Sequence, residues 1–69
     1  MAHRDESEKD HASRVREFLI NNYKVTPQKA VGVVRKWNNM VRVGWTTRKS
    51  PGDTGGLIAR YEGLKKKKA

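Results

Sequence analysis

The sequence predicts an α+β fold, two helices packed on a C-terminal β-hairpin, with disordered termini. Three observations lead there. Apolar residues recur at the helical period up to about residue 40, the period then drops to two, and a Gly/Pro/Ser-rich stretch interrupts the alternation at 48–56.

The first helix is expected from about residue 8 to Tyr23. Ala12, Val15, Leu19 and Tyr23 fall at i, i+3, i+7 and i+11, and Phe18 widens the stripe. Asp5, Glu6, Glu8 and Asp10 suit the positive end of its dipole. Thr26-Pro27 opens the second helix, because Thr is a good N-cap and Pro has the φ that the first helical position needs. That helix is expected over 27–40, with Ala30, Val33, Val34, Trp37 and Val41 on one arc and Gln28, Lys29, Gly32, Arg35, Lys36 and Asn39 on the other side.

From Val41 the pattern alternates. Val41, Val43 and Trp45 fall on one side of a strand ending near Thr47, and Leu57, Ala59 and Tyr61 on the inner side of its partner. Leu57, Ile58, Tyr61 and Leu64 also fit a helix, but Gly55 and Gly56 favour the strand. Pairing Val43 with Tyr61 and Trp45 with Ala59 would turn an apolar face onto the helices. Arg42, Thr46, Arg48 and Arg60 would then share the outer face, with Ile58 partly exposed beside them. Residues 1–7 are expected to be flexible, 8–64 to form the single basic domain, and 65–69 to be a disordered lysine tail.

Charge carries the functional argument. The 69 residues hold 16 Lys and Arg against 7 Asp and Glu, a formal net charge of +9. The excess is uneven: residues 1–18 carry four basic and five acidic side chains, and residues 19–69 carry twelve basic ones against Asp53 and Glu62. Such a field attracts phosphate backbones and acidic protein surfaces. The expected function is therefore a small nucleic-acid-binding protein, DNA rather than RNA, acting in regulation. The expected contacts are Gln28, Lys29, Arg35, Lys36 and Asn39 from the second helix, and Arg42, Arg48, Lys49 and Arg60 from the hairpin. Arg bonds bidentately to guanine and Asn or Gln to adenine, while the Arg48-Lys49 loop and its glycines suit a phosphate backbone. The lysine tail would add affinity that falls with salt.

An arginine-bearing hairpin after a helical unit weakly resembles the wing of winged-helix proteins. A typical winged helix has three helices where this reading has two, so the likeness is one of layout and implies no family. The alternative function is an inhibitor or adaptor that docks the same cations on an acidic surface of a larger machine such as RNA polymerase.

Other classes find little support. No cysteine is present, which removes disulfides and thiolate metal sites. No cofactor is implied. His3 and His11, eight residues apart, lack a zinc spacing. Gly52-Asp53-Thr54-Gly55-Gly56 resembles the nucleophile segment of trypsin-like serine proteases with Thr for Ser, but so short a chain cannot build that fold or its triad, and no enzyme is expected. The longest apolar run is Phe18-Leu19-Ile20, so no membrane partner is expected, nor a secretory signal, and the reading places the chain in the cytoplasm, on the nucleoid if bacterial. A core this small supplies roughly 3–5 kcal/mol, so a homodimer or the ligand itself would add to stability.

Overall fold

A computed structural model describes residues 7–67 of the chain. It is all-helical: α1 Glu8–Asn22, α2 Pro27–Lys36, α3 Asn38–Thr46 and α4 Pro51–Glu62. Three of the four start on the same local device. The hydroxyls of Ser7, Thr26 and Ser50 accept the N–H of Asp10, Lys29 and Asp53 at 3.1, 3.2 and 3.1 Å, and Pro27 and Pro51 supply the opening turn of α2 and α4. The fourth start is different. At Trp37 (φ −102°, ψ 33°) the second helix breaks, and α3 begins at once with Asn38 and Asn39, both poor helix formers. The helix expected over 27–40 is therefore two helices.

One core joins all four. Val15 and Leu19 of α1, Val33 of α2, Val41 of α3 and Ile58 and Ala59 of α4 are buried together with Tyr23. Phe18, Val34, Trp37, Met40 and Leu64 pack around them. α1 touches each of the other three helices and packs most extensively on α4. Its arc Val15, Leu19, Tyr23 faces inward as the spacing predicts, with His11 as an unpredicted fully buried member one turn earlier.

The β-hairpin does not form, and the winged-helix layout falls with it. Residues 41–46 and 57–62 are helical, and the one strand-like pairing among the described residues is an isolated bridge between Tyr23 and Lys66. The faces change accordingly. Val43, Trp45, Leu57 and Tyr61, expected inward, are 56, 36, 38 and 64 % exposed, and Ile58, expected outward, is fully buried.

Two glycines explain why helix wins where local preference is weak. A Cβ on Gly44 would collide with Thr54 Oγ1, and one on Gly55 would come within 2.5 Å of Phe18 Cδ2. At each glycine two helices meet so closely that an added Cβ would force a neighbouring side chain to move, Thr54 between α3 and α4 and Phe18 between α4 and α1. Packing of Val41 and Ile58 across those contacts outweighs the helix penalty of Gly, which is about 1 kcal/mol per residue. Near the end of α3, Thr46 and Thr47 turn their hydroxyls back onto the carbonyls of Arg42 and Val43 at 2.8 and 2.7 Å, which satisfies β-branched polar residues at that end.

Both α3 and α4 end in the same reversal. After α4, Leu64 N–H bonds Ala59 O at 2.9 Å and Gly63 N–H bonds Arg60 O at 3.3 Å, with Gly63 left-handed at φ 76°. After α3, Lys49 N–H bonds Gly44 O at 2.8 Å and Arg48 N–H bonds Trp45 O at 3.1 Å, with Arg48 left-handed at φ 62°. This is the Schellman arrangement, which in its second use holds an arginine where glycine is the unstrained choice.

Candidate nucleic-acid interface

The reversal at Gly63 determines where the lysine tail goes. Leu64 packs against the core, and the chain doubles back along the segment between α1 and α2. Lys24 N–H bonds Lys65 O at 2.8 Å, Lys67 N–H bonds Asn22 O at 3.0 Å, and Lys66 bridges Tyr23. Lys65, Lys66 and Lys67 thus run beside the α1–α2 segment. Lys68 lies outside the described residues, as do His3 and residues 1–6 of the expected flexible N-terminus.

This pairing puts Lys24, Lys65, Lys66 and Lys67 together, all exposed, and none forms an ion pair with a described residue. Three residues beyond Lys24, α2 begins. Gln28, Lys29, Arg35 and Lys36 lie on its exposed side, as its periodicity predicts, opposite buried Ala30 and Val33. Lys29 adds to the field on Glu62, in the last turn of α4 before the tail.

Glu62 is the single carboxylate of α4's last turn, and it is already engaged. The Trp37 indole N–H donates to its Oε1 at 2.8 Å, and Lys36 Nζ lies 3.2 Å from the same oxygen. The indole hydrogen bond first, then the ammonium, hold its carboxyl below the usual value of 4.5 despite partial burial. Lys36 also stands 5.6 Å over the Trp37 ring, which stacks on Tyr61 at 5.8 Å between centroids. Lys36 is therefore more committed than Lys29 or Arg35.

The other expected contacts scatter. Asn39 and Arg42 sit on α3, and Arg42 donates to Glu8 Oε2 at 3.3 Å, which answers much of its charge. Arg48 and Lys49 belong to the α3–α4 turn, and Arg60 to the last turn of α4. All are exposed, but the shared pleat that was to gather Arg42, Arg48 and Arg60 is absent. Lys24 is the cation that the sequence does not mark for the site, and the pairing of lysines 65–67 beside it is the other feature not expected. Gly63-Leu64 after a helical pattern, a Schellman signal, is what could have placed them.

A buried polar pair is structural. His11 Nε2 lies 3.1 Å from Thr54 Oγ1, which brings together His11 and the threonine of the Gly52-Asp53-Thr54-Gly55-Gly56 segment. Both are buried, at 0 and 2 % exposure, so the pair is a core hydrogen bond between α1 and α4. Among the described residues no group of three or more His, Cys, Asp or Glu gathers where a metal could bind, and no helix is long and apolar enough to cross a membrane.

Comparison with protein-family models, with curated proteins and with solved structures gives no match for the chain.

Proposed function

We propose that this chain is a non-enzymatic module that binds nucleic acid, duplex DNA in the first place, through its phosphate backbone. The observation that carries the reading is the group of exposed cations Lys24, Lys65, Lys66 and Lys67 brought together by backbone pairing, with Lys29 and Arg35 exposed on α2 and Glu62 of α4 already engaged by Trp37 and Lys36. A fixed row of cations releases the counterions of a phosphate strand without first losing the entropy of a loose tail. Gln28 on the same helix face offers an amide to base edges, so any sequence preference would enter there. Regulation of transcription is the role such a small basic module would fit.

The test is fluorescence anisotropy with labelled duplex DNA and single-stranded RNA across salt concentrations. With about five phosphates engaged, log K should fall with log salt at a slope of about −4 to −5 for the duplex. Replacing Lys65, Lys66 and Lys67 together by Gln should reduce that slope by roughly three, and Arg42→Gln should leave it nearly unchanged. Equal losses from both variants, or no salt-dependent binding, would remove the basis of the proposal.

The adaptor reading is favoured by a different feature, an apolar groove between α3 and α4.

A further inference from the structure

Between α3 and α4 lies an open groove of about 210 Å³, lined by Met40, Val43, Gly44, Thr54 and Leu57 together with the polar Asn39 and Lys49. Near the same helices, Trp37 at the α2–α3 junction stacks on Tyr61 of α4, four residues after Leu57. Of the five large apolar side chains exposed among the described residues, Val43 and Leu57 line this groove. Scattered exposed apolar residues need no explanation, but two in one groove in so polar a chain do.

We infer that this groove is a docking site for an amphipathic helix of a protein partner, apolar on the inserted face and acidic on its flanks. Size sets the class of occupant. A drug-sized or cofactor-sized ligand needs on the order of 300–1,000 Å³, whereas a helix inserts only a few anchor side chains at i, i+3 or i+4, and i+7. The apolar lining residues come from two helices, Met40 and Val43 three apart on α3 and Leu57 on α4, with room between them for such anchors. Charge sets the flanks. Lys49 lines the groove, Arg48 precedes it in the same turn, Arg60 is three residues from Leu57 on α4, and Lys36 stands over Trp37. The acids nearby are Asp53, in the first turn of α4, and Glu62, held by Trp37 and Lys36. A second copy of the chain is the poorer occupant, because each copy carries +9 and its helices already give their apolar faces to the core. The inference does not rest on nucleic-acid binding, which uses other residues.

The experiment is selection of a displayed random-peptide library, about 15 residues long so that a helix can form, on the full chain. Val43→Glu serves for counter-selection. Val43 is exposed, so that variant should melt cooperatively near the wild-type temperature, and Leu57→Glu is the second variant if it does not. The expected result is convergence on peptides with apolar residues at helical spacing and Glu or Asp between them. Their affinity should fall about tenfold or more on Val43→Glu, and a scrambled peptide of the same composition should bind as weakly as the wild-type peptide binds that variant. Sedimentation of the free chain runs alongside. No enrichment, enrichment of basic or extended peptides, equal binding of the scrambled peptide, or a dimer that Val43→Glu dissociates would each overturn the proposal. Loss of DNA binding by the lysine variants leaves all these readouts unaffected, so the two readings fail separately.

Discussion

Gly44→Ala tests the helix-on-helix reading at its tightest point. Alanine is the better helix former by about 0.8–1 kcal/mol, so an exposed or loosely packed glycine should gain stability from the change. Here the added Cβ meets Thr54 Oγ1, with Thr54 Cβ and Cγ2 at 3.2 and 3.3 Å behind it. Overpacking of this kind costs about 1–3 kcal/mol. If Thr54 rotates to make room, the buried hydrogen bond with His11 goes too, at about 1–3 kcal/mol more. Taken together the loss is about 1–5 kcal/mol, comparable with the whole stability such a small core supplies. Urea denaturation followed by circular dichroism measures it. Thr54→Ala supplies the cycle: with the hydroxyl gone, Gly44→Ala should cost less than in the wild type, with a coupling of about 0.5–3 kcal/mol. A Gly44→Ala protein as stable as the wild type, or additivity of the two changes within about 0.3–0.5 kcal/mol, would show that α3 and α4 do not meet at these residues.

Gly32 has nothing within 4 Å of its added Cβ, so Gly32→Ala should stabilise the protein by about 0.5–1 kcal/mol in the same assay. Arg48 holds a left-handed conformation, and Arg48→Gly should stabilise by about 1 kcal/mol in urea titration while removing a cation near the groove. Glu62 has a depressed carboxyl pKa in the folded state, so its ionised form adds stability above about pH 4.5, lost as pH falls through the folded value. The melting-temperature gap between wild type and Glu62→Gln should therefore be widest near neutral pH and close on acidification, and a gap constant with pH would refute the assignment.

The first half of the fold was legible in the sequence because its apolar residues follow one period and its start signals are unambiguous. Ser50-Pro51 uses the same grammar as Thr26-Pro27, a hydroxyl cap before proline, and it too opens a helix. The sequence nevertheless suggests a loop there, because Gly52, Gly55 and Gly56 follow it and glycine argues locally against helix. That inference fails where glycine is present for close contact, as at Gly44 and Gly55, since the partner helix is not visible in the local sequence. Val41-Arg42-Val43-Gly44-Trp45 alternates, yet its core members are Val41 and Gly44, three apart, which is the helical spacing. Of the expected contacts, Lys29, Arg35, Lys36 and Gln28 stay together because they follow helical periodicity alone. Arg42, Arg48 and Arg60 separate because they depended on a strand register that does not exist.

One cluster, Trp37, Glu62 and Lys36, joins α2 to α4. Trp37 ends α2, whose outer face carries Lys29 and Arg35, and its ring stacks on Tyr61 of α4. Glu62 fixes the indole through its N–H and draws Lys36 onto the ring. With Lys36 so engaged, the cations left for phosphate are those of the tail, Lys24, Lys29 and Arg35, whereas Val43 and Leu57, which line the groove, belong to other helices. Occupancy of one surface need not displace the ligand of the other. Were both proposals to hold, the two ligands would use different residues of one small core, and substitutions at Lys65–Lys67 and at Val43 should each abolish one binding and leave the other intact.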